Sequence, residues 1–197
     1  MFLSKQGAAI AALALSATMA LATAAAALCH DGVEAPLPST VTFDAGAVVE
    51  ILSLDAEGLR YRVTDPKRPA PSEVVIRAGI FMQQVTAEGQ ITRFDWTSAL
   101  PTLDALAVGA SFEATAQWSS PGQPNAEFGT KAQVTGEEVV TLDGCDYPVL
   151  VIEVQNFWNG RAASKVTKYL HLPSQIPLKN IVRQGDKVTE NTVVALD

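Results

Sequence analysis

Turn signals recur at short intervals through most of this chain, and the runs between them suit β-strands and little else. Asp55-Ala56-Glu57-Gly58, Glu88-Gly89, Asp143-Gly144, Asn159-Gly160 and Gly185-Asp186 each separate two apolar or alternating segments. Glycine, and to a lesser degree Asn and Asp, tolerates the positive φ that two-residue hairpin turns require. Asn159-Gly160 is the strongest of these signals. In the run 59–64, Leu59, Tyr61 and Val63 take one face while Arg60, Arg62 and Thr64 take the other, as in a half-buried strand. The same alternation returns in 111–118, where Phe112, Ala114, Ala116 and Trp118 share a face.

Strands are expected at 48–54, 59–64, 73–86, 91–97, 111–118, 131–142, 145–157, 161–172, 179–184 and 187–196. Pro66, Pro69 and Pro71 interrupt the ladder in one loop, and Pro173 and Pro177 do so in another. Residues 100–109 are the one stretch suited to a short helical turn or a covering loop. Short connections between successive strands imply neighbour-to-neighbour pairing. The expected fold is all-β, an antiparallel meander of about nine or ten strands forming a strongly curved sheet or half-barrel, with a two-sheet sandwich as the alternative.

Residues 1–27 read as a cleaved secretory signal peptide. Lys5 supplies the positive start, an Ala- and Leu-rich run follows from Gly7 to Ala22, and small residues offer cleavage sites of the A-x-A kind. Residues 28–197 then form a single β-rich domain of about 170 residues, enough for one hydrophobic core. The expected location is the periplasm or the secreted fraction, with no transmembrane segment after signal cleavage. Leu28 occupies the position before Cys29 where a lipoprotein signal has a small residue, which argues against lipidation.

The chain holds 14 Lys and Arg against 21 Asp and Glu, a net charge of −7, and loss of Lys5 makes the remainder more acidic still. Such a surface does not attract nucleic acid or anionic lipid, so no nucleic-acid partner is expected. Cys29 and Cys145 are the two cysteines. In an oxidising compartment, two thiols in one exported domain are expected to pair as a disulfide.

Metal and catalytic motifs are missing from the sequence. Cys29, His30, Asp31, Cys145 and Asp146 carry ligand chemistry, but no short paired spacing of the C-x-x-C type brings them together. Cleavage after Ala27 would place His30 third from the new terminus, a geometry that binds Cu(II) or Ni(II) incidentally. No metal and no cofactor are therefore assigned. His171 ends a strand with no Gly-x-Ser-x-Gly elbow to serve it, and reads as an exposed or capped loop histidine. Glu137 and Glu138 are adjacent in a strand and point to opposite faces. The expectation is a protein that is not an enzyme. Trp96, Trp118, Phe157, Trp158 and Tyr169 remain as aromatics able to line a cavity or an exposed face, with Trp158 placed at a hairpin tip.

The segment from Val134 to Gln184 resembles a broad group of exported bacterial β-proteins of unknown function. The resemblance rests on Val134, Gly136 and Glu137 in one strand, the Asp143-Gly144 turn, the Asn159-Gly160 hairpin, Tyr169 ending a strand, and Pro173 in the following loop. It implies an architecture like the periplasmic lipoprotein-carrier half-barrel of the LolA/LolB kind. Cys145-Asp146-Tyr147 stands where relatives often carry Gly-Thr-Phe, a departure suited to a disulfide variant. The function expected is a non-enzymatic cell-envelope domain that binds an apolar ligand or lipid chain in a curved sheet. The alternatives are a protein-interaction or envelope-scaffold module with a filled core, whose partner would be an envelope protein, and an unrecognised enzyme.

Overall fold

The computed structural model describes Cys29, His30, residues 36–55 and residues 58–197. The expected signal peptide, residues 1–27, lies outside these residues. Twelve strands run in chain order among them: β1 (Thr40–Phe43), β2 (Val48–Asp55), β3 (Gly58–Thr64), β4 (Ser72–Arg77), β5 (Phe81–Ala87), β6 (Gln90–Trp96), β7 (Ser111–Ser119), β8 (Ala126–Leu142), β9 (Cys145–Trp158), β10 (Arg161–His171), β11 (Ile176–Gln184) and β12 (Lys187–Leu196). Each pairs antiparallel with its neighbour in sequence where the two are hydrogen-bonded.

The ends of this meander meet. β1 pairs with β12, Val41 opposite Leu196, so the sheet closes into a barrel. The expected half-barrel of nine or ten strands is therefore corrected to a closed barrel of twelve. Two local features account for the difference. The run 73–86 is two strands, broken at Ala78-Gly79, where both residues have positive φ (52° and 65°). The short Thr40–Phe43 strand, preceding the first long alternating run, supplies the closing edge. Closure removes the open edges that a half-barrel would expose.

Glu88-Gly89, Asp143-Gly144 and Asn159-Gly160 all form turns with positive φ at both residues, as their sequences demanded. The two central residues of the turn between β2 and β3 lie outside the described residues, but the flanking strands pair. Residues 100–109 supply the expected covering segment. A 3₁₀ turn at Leu103–Ala105 leads to buried Leu106, and Leu100 and Leu103 pack onto the same core.

Two cores share the long strands. One gathers Phe81, Leu106, Ala114, Val134, Ile152, Val154 and Leu170; the other gathers Val41, Val49, Leu59, Ile76, Tyr147, Val149, Leu178 and Val193. Cys145, Tyr147 and Val149 of β9 face the second core, whereas Leu150, Ile152 and Val154 face the first. Alternation along a strand puts these two sets on opposite faces. The ladder shifts by one residue at Val134/Gly136 of β8 and at Tyr169/Leu170 of β10, where the sheet passes from one core to the other. Each fully buried Leu, Ile or Phe in these cores contributes about 1.5–3 kcal/mol.

The lead is tied to this framework by a disulfide between Cys29 and Cys145, 116 positions apart. Cys29 packs on the second core, and the His30 amide donates to the Tyr147 hydroxyl at 3.2 Å. The outer face carries charge in cross-strand pairs. Arg62 bridges Glu50 and Glu73, and Arg60 also reaches Glu73, holding the Glu73 carboxyl below the usual carboxylate range.

Candidate functional site

Three of the five nominated aromatics come together, and they are all three tryptophans of the chain. Trp96 on β6, Trp118 on β7 and Trp158 on β9 share a face with Phe94 and Phe128, because the register aligns Phe94 with Trp118 and Phe128 with Trp158. The rings touch edge to face. Phe81–Trp96 centroids lie 5.3 Å apart, Phe94–Phe128 5.0 Å and Trp118–Trp158 4.8 Å, with Phe128 linking Trp96 to Trp158. The row starts at fully buried Phe81 and runs to Trp158, which is 38% exposed beside the Asn159-Gly160 turn. Phe94, Trp96, Trp118 and Phe128 are partly exposed.

Local chemistry fixes the row. The Trp96 indole donates to the Met82 carbonyl at 2.9 Å, and the Asn159 side chain accepts from the Glu127 amide at 2.9 Å. Thr130, Asn156 and Ser164 form a short hydrogen-bonded chain on the same inward side.

Phe157 and Tyr169 stand apart from this row. Phe157 lies under the Lys131 ammonium, and Tyr169 under that of Lys179, each about 5.6 Å from the ring centre. Phe94 and Phe128 were missed in the sequence. Phe94 has the parity of Trp96 and was legible, but Phe128 sits ahead of the strand expected at 131–142, in β8 as it forms.

His171 is buried, 1% exposed, and not an exposed loop residue. Its ring rests edge-on against Tyr147, and its Nδ1 is 2.9 Å from the Ser174 hydroxyl, which also caps the Ile176 amide. Ser174 is equally buried, so this pair locks the turn between β10 and β11, beyond reach of a substrate. Cys29 and Cys145 are both consumed by the disulfide, and no cluster of three or more His, Cys, Asp or Glu suited to a metal occurs among the described residues.

Between β2–β4 and β10–β11 lies a cavity of about 130 Å³ that the sequence reading did not nominate. Tyr61, Lys168, Gln175 and Asn180 supply its polar wall; Val49, Leu59 and Ile76 are among its apolar residues. Lys168 falls between Val166 and Leu170 on the inward parity of β10, a legible anomaly. Its ammonium donates to the Gly79 carbonyl at 2.7 Å, and burial pushes its pKa down to about 8. Burial also pushes the Tyr61 phenol up to about 12. A second space of about 210 Å³, mostly apolar, lies beside Ala78, Pro101 and Leu103.

No family model and no curated protein matches this chain. Among solved structures, it is similar to the crystal structure of the hypothetical lipoprotein YmcC from Escherichia coli (K12), at 11% identity and a TM-score of 0.48, covering 80% of this chain and 86% of that one.

Proposed function

We propose that this chain is a non-enzymatic, exported cell-envelope domain that binds an apolar ligand or lipid chain along the open end of its curved sheet. The aromatic row carries this reading: it continues a filled core outward and ends in a half-exposed tryptophan. Flat rings in mutual edge contact offer apolar area that loses little side-chain entropy when a ligand covers it. Export is supported by the disulfide and by the Ala-rich leader. The absence of catalysis is supported by the sealing of His171 and Ser174 in a turn.

Two enclosed spaces among the described residues, of about 130 and 210 Å³, fall short of the ~300 Å³ at which pockets for drug-sized or lipid-chain ligands begin. This supports a ligand held on the rim rather than in either of these two spaces. The filled interior equally favours the second reading, a scaffold that works through its outer surface.

Because Trp96, Trp118 and Trp158 all belong to the row, tryptophan fluorescence reports on it alone. Titration with a brominated stearate should quench that fluorescence saturably, and Phe128→Asp should abolish the effect while the far-ultraviolet circular dichroism is kept. Absence of saturable quenching in the unmodified protein rejects the apolar-ligand reading and leaves the scaffold.

A further inference from the structure

Among the described residues, two buried side-chain polar atoms have no hydrogen-bond partner, Gln175 Oε1 and Asn180 Oδ1, and both residues line the 130 Å³ cavity. Folded proteins satisfy nearly all such atoms, so two orphans on one wall signal a missing partner. Gln175 is 3% exposed and sits at a φ of 56°, a left-handed conformation unfavourable for a residue with a long side chain. Strain of this kind gathers at sites where side-chain placement matters more than local stability.

The third member of the wall is a cation. Lys168 uses one N–H on the Gly79 carbonyl, which leaves two donors. No carboxylate among the described residues forms an ion pair with it, although six other Lys and Arg side chains are so paired. A buried charge without a counter-ion is unfavourable until an anion arrives. The approach of the Gly79 carbonyl is itself built in. A Cβ at that position would strike Leu170 Cδ1 and crowd the Gln175 carbonyl, so glycine is what lets this turn lie against the cavity wall.

We propose that this cavity is a binding site for a small hydroxy-carboxylate. The carboxylate meets the Lys168 ammonium, and the hydroxyl donates its one proton to one of the two orphaned amide oxygens, Gln175 Oε1 or Asn180 Oδ1. The carbon skeleton lies against Val49, Leu59 and Ile76. Size sets the upper limit, since a 150 Å³ cavity accommodates benzene, giving about six non-hydrogen atoms here. Lactate has the charge, the size and one hydroxyl donor. Tyr61, Lys168 and Asn180, which line the cavity, each keep part of their surface exposed. This site is separate from the aromatic row and does not depend on the rim reading.

Lactate, propionate and propane-1,2-diol are compared by saturation-transfer NMR and calorimetry on the disulfide-intact protein. Lactate should bind, propionate should bind about tenfold more weakly for want of the hydroxyl, and the diol, which has no charge, should not bind. Lys168→Met should remove lactate binding. Lys168 and Tyr61 are the titratable residues lining the cavity, and Tyr61 stays neutral below about 12. Lactate affinity of the unmodified protein should therefore hold below pH 8 and fall by about tenfold per unit well above it, as the ammonium loses its proton. This measurement needs no variant, so it decides the matter even if Lys168→Met does not fold. Failure of lactate to bind, binding that is flat with pH to 10, or a crystal grown in lactate with water alone in the cavity overturns the proposal.

Discussion

Val149 and Leu150 are consecutive on β9, and both are buried, at 3% and 6% exposure, yet they belong to different hydrophobic cores. A sheet covered on one face would leave one of the two in water. Here the strand is covered on both sides, and the change of core falls between these residues.

Both positions should therefore be costly to truncate. Leu150→Ala is expected to destabilise by about 2–5 kcal/mol, and Val149→Ala by more than about 1 kcal/mol. Urea unfolding of each variant measures this. A silent Val149→Ala would mean that the second core does not reach β9.

Much of this was written in the sequence. The turns at Glu88-Gly89, Asp143-Gly144 and Asn159-Gly160 were legible because their backbone requirement excludes most other residues. The disulfide was legible because two thiols had no other partner. The Ala78-Gly79 turn was hidden, since alanine is a poor marker for positive φ and the flanking runs are continuous in β-forming residues. Closure of the barrel could not be read from alternation, which reports the face of a strand and not which edges meet. The unbroken apolar run Val149–Ile152 did signal burial on two faces, but only the register shifts show where the cores exchange. The Trp158 tip was foreseen from its turn, whereas the polar cavity arises from residues more than 100 positions apart, Tyr61 against Lys168 and Asn180.

Cys145→Ser should lower stability by up to about 4–5 kcal/mol, the loop-entropy limit for so long a ring. Strand content should be unchanged, because Cys145 lies at the end of β9 and its ladder to β8 is made by backbone. Chemical denaturation with circular dichroism tests both parts. Two alkylatable thiols in the native, unreduced protein would contradict the bridge.

Gly160→Val places a β-branched residue at a φ of 72° in the Asn159-Gly160 turn. The space around Gly160 is open, so backbone strain alone sets the penalty, on the order of 1–3 kcal/mol. The same substitution at Gly136, which has no positive φ and equally open surroundings, should be better tolerated. Equal midpoints for the two variants in thermal unfolding would refute the assignment.

Lys168 also gives stability a pH dependence in the absence of ligand. Its folded pKa, about 8, lies below the ordinary 10.5, so the unfolded state holds the proton more tightly. Stability rises with pH between these values and is lost again as pH falls from 10.5 towards 8. The gain is up to about 3 kcal/mol. Comparing the unmodified protein with Lys168→Met across this window isolates the lysine from other groups. A difference between them that is independent of pH would place the ammonium in water.

The first strand of the barrel completes its pairing only with the last. A chain made from its amino terminus exposes the edge of β1 throughout synthesis, until β12 exists to cover it. Cys29 waits in the same way for a partner that emerges 116 residues later. Ring closure by sulfur and ring closure by hydrogen bonds are thus both late events, and the half-made molecule is an open sheet with an adhesive edge.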